Sequence, residues 1–178
     1  MVEGRFEVVQ TENGESGAPL LLDGAELELR SVKIDGQDVD KSRLTFGHET
    51  LSIADVPASF ILETQVAIDP ENNTSLEGLY RSSTMFCTQC EAQGFRKITY
   101  YIDRPDNLAT FTTVIIADGT TFPIALSNGN LVSEEKLDNG LVKTTWEDPY
   151  PKPSYLFALV AGDLEYIEDR YTCLLYTS

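Results

Sequence analysis

Residues 59–68 read SFILETQVAI, and every second side chain from Phe60 through Leu62, Thr64, Val66 and Ile68 falls on one face. A period of two is the geometry of an extended strand with one face turned to a core. The same pattern continues upstream in AELELRSVKI (25–34), closed by the turn pair Asp35-Gly36, and in LTFGHETLSI (44–53), with a turn at Gly47-His48. Downstream it returns in TFTTVIIAD (110–118), TFPIALS (121–127), LVSEEKL (131–137), LVKTTWE (141–147) and SYLFALVAGDLEYI (154–167). NGN at 128–130 and DNG at 138–140 separate three of these runs, and Asn-Gly between alternating segments predicts hairpins.

Two stretches break the alternation. From about Cys90 to Phe111 the period is lost, and Asp103 before Arg104-Pro105 predicts a tight turn or the start of a short helix. DPYPKPSY (148–155) carries prolines at 149, 151 and 153, which predicts an extended loop outside any ladder. The fold expected is therefore mainly β: an antiparallel two-sheet saddle or sandwich with a short helical or irregular excursion near 90–108.

The chain has 178 residues, 42% of them hydrophobic, which suits one domain with a real core. Thirteen Lys and Arg stand against 29 Asp and Glu, a formal charge of −16, so the surrounding field repels phosphate backbones and anionic lipid headgroups. Nucleic acid and membrane are not expected partners. No apolar run approaches the roughly 20 residues that span a bilayer, and MVEGRFEVVQTENGES (1–16) has no secretion-signal pattern. The expected location is cytoplasmic, where the glycosylation matches at Asn72 and Asn73 reduce to a polar loop.

Motifs for chemistry are sparse. A structural zinc site wants four thiolate or imidazole ligands, whereas here one Cys-x-x-Cys pair, Cys87 and Cys90, is joined only by a distant Cys173 and the single His48. A redox role for CTQC would need a βαβ setting that the flanking strand patterns do not supply. Packing of two reduced thiols is the simpler reading. With one histidine no His-Glu-x-x-His helix can exist, and neither a Gly-x-Ser-x-Gly elbow nor a phosphate-binding glycine loop is present.

Four ordered stretches carry a resemblance: NTSLEGLYRSS (73–83), FCTQCEAQGFRKITYYIDRPD (86–106), LSNGN (126–130) and WEDPYPKPSYLFALVAGDL (146–164). From about Ala18 to Asp169 the chain resembles the N-terminal domain of the bacterial aminopeptidase N family, zinc-dependent alanyl aminopeptidases of the gluzincin class. The resemblance implies a saddle-like β domain packed beside a thermolysin-like catalytic domain of the same polypeptide. It also implies that the glutamate of TQCEA, Glu91, holds the free α-amino group of a peptide substrate, helped by Gln89. Zinc and the catalytic residues belong to motifs further along the family's chain, so no catalytic residue and no bound metal are expected in this one.

The logic of such a glutamate is physical. A chain end differs from an internal peptide bond by an amine of pKa near 7.7 to 8.0, largely protonated at neutral pH, and a carboxylate reads it. A charge-assisted bond contributes about 1.5–3 kcal/mol, and an internal segment would leave that acid unpaired. Gln89 can add its carbonyl oxygen, and positions 89 and 91 share a side if the segment is extended. The acid is expected to be buried in the crossing between the sheets. The plain alternative pairs Glu91 with Arg96 on a short helix, while Arg96, Tyr100 and Asp103-Arg104 read as scaffold held by hydrogen bonds and a local salt bridge.

Both ends are expected to be non-native. CLLYTS (173–178) is what TGT CTC TTA TAC ACA TCT encodes, a string resembling the transposon end used in sequencing libraries, and it is set aside with Cys173. MVEGRFEVV (1–9) resembles an interior strand of the family, so residues 1–172 are expected to be the β domain without its first strands. Two functions remain open: the amino-end-binding domain of a zinc aminopeptidase that removes N-terminal residues from peptides, or a stand-alone β binding module without catalytic activity.

Overall fold

The computed structural model describes residues 1–15, 17–165, 167 and 169, so CLLYTS and Cys173 lie outside the described residues. Alternation carries most of the rest into strands: β1 (Val2–Val9), β2 (Leu20–Asp23), β3 (Glu28–Ile34), β4 (Gln37–Asp38), β5 (Leu44–Phe46), β6 (Thr50–Ile53) and β7 (Ser59–Ala67). They continue as β8 (Gly78–Ser82), β9 (Met85–Gln89), β10 (Leu108–Asp118), β11 (Ile124–Ser127), β12 (Asn130–Lys136), β13 (Leu141–Pro153) and β14 (Leu159–Gly162). The mainly β, antiparallel expectation holds, and the strands group as four sheets ordered β1-β7-β3-β4, β2-β6-β5, β11-β14-β9-β8 and β10-β13-β12.

The first two sheets make the sandwich. In β7, Phe60, Leu62, Thr64 and Val66 are buried while the residues between them are only half-buried. Their apolar members meet Val32 and Ile34 of β3 and, from the opposite sheet, Leu22 of β2 with Leu51 and Ile53 of β6. Each such side chain removed from water contributes about 1.5–3 kcal/mol. A one-residue slip in any strand would turn its apolar set outward, which fixes the register.

Two predicted hairpins form as read. Asp35 (φ 51) and Gly36 (φ 77) give the two-residue turn that pairs Ile34 with Gln37. Asn139 (φ 64) and Gly140 (φ 79) turn β12 into β13, with the Leu137 amide donating to the Leu141 carbonyl at 2.8 Å. NGN at 128–130 does not make a hairpin, because β11 pairs with β14 and β12 with β13. Here the chain changes sheets: Asn128 Oδ1 accepts from the Ala158 amide at 2.7 Å and its Nδ2 donates to Leu156 O at 3.1 Å. Gly129 is required because a Cβ would collide with the Glu147 carbonyl.

The prolines also correct the sequence reading. Pro149, Pro151 and Pro153 lie inside β13, which runs on to pair Pro153 with Leu108. β12 covers β13 only as far as Glu147, so the proline stretch has a ladder partner on one side alone. Prolines at alternate positions place all their missing N–H groups on the same edge, and the open edge tolerates that. The NNTS segment is an organised turn, in which Asn73 Nδ2 donates to the carbonyls of Glu77 (2.8 Å) and Leu79 (2.9 Å) and Oδ1 accepts from the Ser75 amide and hydroxyl. No helix among the described residues is long and apolar enough to cross a membrane.

Candidate functional site

The excursion after β9 is short and irregular, as expected, with one 3-10 turn over Phe95–Lys97. Arg104-Pro105 begins a tight turn closed by the Asn107 amide on Arg104 O at 3.1 Å. Consecutive tyrosines lock the segment into two cores. Tyr100 packs with the sandwich residues, and Tyr101 packs with Cys90, Phe95 and Ile98 in a second cluster. Opposite directions for neighbouring side chains are what an extended backbone provides, and Tyr101 does form an antiparallel bridge with Asp23. Around Phe95 the rings of Tyr101 and Phe157 stand edge-on at 5.0 and 5.2 Å, a geometry contributing about 0.5–1.5 kcal/mol per pair beyond area burial.

Charges pin the same turn from both sides. Asp103, its side chain 1% exposed, receives the Arg96 guanidinium at 3.1 Å, the Arg96 amide at 3.2 Å and the Ser154 hydroxyl at 2.5 Å. Arg96 also lies 3.6 Å from Asp23, whose carboxylate accepts the Asp103 amide at 3.0 Å. Lys97 reaches the other way to Glu26 and Glu77, each at 3.2 Å, and these bonds raise its pKa against the opposing effect of burial, which is the largest single influence. The expected scaffold role of Arg96, Tyr100 and Asp103 is thus met, while the local salt bridge of Arg104 is with Asp106. Sequence reasoning missed Ser154 and Asp23, because neither carries a local signal for a partner 51 or 80 residues away.

Gln89 and Glu91 stand on the free rim of this clamp. The β8–β9 ladder ends with Gly78 opposite Gln89, Cys90 is buried, and residues 91–93 are exposed. Gly94 closes the turn through its amide to Cys90 O at 2.8 Å, and a Cβ there would collide with the Gln89 carbonyl. The Glu91–Ala92 peptide bond is cis. Gln89 Nε2 donates to Glu91 O at 3.3 Å. Glu91 is exposed rather than buried, which corrects the expectation of a buried acid, because this domain offers no second wall over the rim. The plain alternative also fails, since Arg96 is taken by Asp103 and Asp23, and among the described residues nothing engages the Glu91 carboxylate.

Among the described residues no group of three His, Cys, Asp or Glu is arranged to hold an ion. Cys87 and Cys90 are free thiols, and burial, with a contribution from Asp103, pushes Cys90 up to about 12, so a thiolate ligand is disfavoured there. His48 is exposed in the β5–β6 turn, with no such cluster around it among the described residues.

The profile of the Peptidase M1 N-terminal domain family matches residues 1–156. The chain belongs to that family. This M1 N-terminal domain is 49% identical over 165 residues to aminopeptidase N of Caulobacter vibrioides, covering 93% of this chain and 19% of the relative. It is 51% identical over 160 residues to aminopeptidase N of Escherichia coli, covering 90% of this chain and 18% of the relative. Among solved structures it is similar to Legionella pneumophila aminopeptidase A in complex with aspartic acid, with a TM-score of 0.87 and 38% identity over 92% of this chain and 19% of that one. The M1 N-terminal domain therefore spans about a fifth of the length of these relatives.

Proposed function

We propose that this chain is the amine-reading part of a zinc aminopeptidase that removes N-terminal residues from peptides, with metal and reaction centre in a downstream domain of the same polypeptide. One observation carries the reading: Glu91 presents an exposed carboxylate with no partner among the described residues, on a turn whose following residues are tightly bonded. An unpaired acid on a clamped rim is positioned to receive a cation from outside the domain. The free α-ammonium of a peptide is such a cation, and a catalytic domain seated over the rim would supply the desolvation that makes the contact strong. Among the described residues no group of three His, Cys, Asp or Glu is arranged to hold zinc, and the contribution assigned to this chain is binding and orientation.

In the full-length enzyme, Glu91→Gln removes the charge while keeping the shape. The expected result is a fall of about 10- to 100-fold in kcat/KM on aminoacyl substrates, corresponding to a charged hydrogen bond of roughly 1.5–3 kcal/mol, with zinc content unchanged. Unaltered kinetics would remove Glu91 from the site.

A further inference from the structure

We infer that Asp103 is a positioning residue for substrate-amine recognition, setting the place of the Glu91 carboxylate through Arg96, an inference that rests on the reading of Glu91 given above. The segment from Glu91 to Gly94 is a short rim whose two ends are held differently. One end is the β8–β9 ladder at Gln89, continued by buried Cys90. The other is Arg96, whose amide donates to Asp103 Oδ2 at 3.2 Å while its carbonyl accepts from the Ala25 amide at 3.0 Å. Its guanidinium bonds both the carboxylate (3.1 Å) and the main-chain oxygen (3.2 Å) of Asp103.

Asp103 in turn joins three parts of the fold. Its side chain takes the Ser154 hydroxyl at the end of β13, and its amide bonds Asp23 at the end of β2. A carboxylate this deeply buried must have its oxygens satisfied, because leaving them unpaired carries a large desolvation cost. The node therefore has one low-energy arrangement, and the far end of the rim inherits it. Precise placement matters because a recognition group displaced by about 1 Å can lose on the order of 100-fold in its effect. The Lys97 pairs, whose glutamates are more than half exposed, set position less sharply than this buried node.

The test uses the full-length enzyme and two competitive inhibitors, one a substrate-like amine and the other its des-amino counterpart. Asp103→Asn should weaken the amine-bearing inhibitor by about 10-fold while leaving the des-amino one within about twofold, and should raise KM more than it lowers kcat. Combined with Glu91→Gln, it should add no more than about twofold, because both changes remove one interaction. Equal weakening of both inhibitors, or additive losses, would overturn the inference. If Glu91→Gln alone leaves the preference for the amine intact, the reading of Glu91 fails; if it abolishes the preference and Asp103→Asn does not touch it, only the positioning role fails. Should Asp103→Asn not fold, Ser154→Ala removes a single hydroxyl from the node and must give the same selective loss, smaller in size, with unchanged selectivity counting against the inference.

Discussion

Gln89 Nε2 donates to the main-chain oxygen of Glu91 across 3.3 Å, so the amide nitrogen is engaged within the chain while the amide oxygen carries no hydrogen bond among the described residues. On the proposed reading, an ammonium held by Glu91 and Gln89 would meet one charged and one neutral acceptor. Neutral hydrogen bonds contribute about 0.5–1.5 kcal/mol against roughly 1.5–3 for those to a charged group. Gln89→Ala in the full-length enzyme is therefore expected to lower kcat/KM by about 2- to 10-fold, less than Glu91→Gln, in steady-state assays on the same aminoacyl substrate. A loss exceeding that of Glu91→Gln would reverse the assigned ranking of the two acceptors.

Stability should concentrate in β7, whose alternate side chains fill the sandwich. Leu62 is 1% exposed between the two sheets of the sandwich, whereas Leu21, on β2 of the opposite sheet, is 58% exposed. Leu62→Ala is expected to cost about 2–5 kcal/mol, as large-to-small changes in well-packed cores do, and Leu21→Ala to stay within about 0.5 kcal/mol. Urea titration followed by tryptophan fluorescence from Trp146 reads both. Similar midpoints for the two variants would mean that the sandwich is not the seat of cooperativity.

Strand period was legible because burial in a sandwich imposes it residue by residue, as in Phe60, Leu62 and Val66. Pairing across distance was not. Asn128-Gly129 has the chemistry of a hairpin, yet its neighbours join different sheets, a choice made by β13 and β14 far along the chain. The prolines of β13 look forbidden until the strand is known to have an open edge beyond Glu147. At the site, Glu91 and Gln89 are singled out only by the resemblance that TQCEA carries, the exposure of Glu91 follows from what packs over the rim, and the Asp103–Ser154 bond follows from topology. Local pattern reports what a residue needs; it does not report which distant residue supplies it.

Cys90 gives a prediction in pH. The residue is 2% exposed, and burial, reinforced by Asp103, raises its thiol from 9.0 to about 12 in the folded chain. Burial likewise raises Tyr100 and Tyr101 above 10.0, with Asp103 adding to the rise at Tyr101 and Asn107 opposing it. In each case the unfolded chain releases its proton first as pH rises, so between the unfolded and folded values the native state binds more protons than the unfolded one. Stability from these groups is then complete below about pH 9 and declines as pH climbs toward 12. Urea midpoints are expected to fall steadily over that window, and Cys90→Ala should flatten part of the decline. At pH 8, iodoacetamide should leave Cys90 unlabelled in the native chain and modify it after denaturation, since a buried thiol offers neither access nor thiolate. Rapid native labelling of Cys90, mapped by peptide mass, would show that the second core opens far more readily than its packed rings imply.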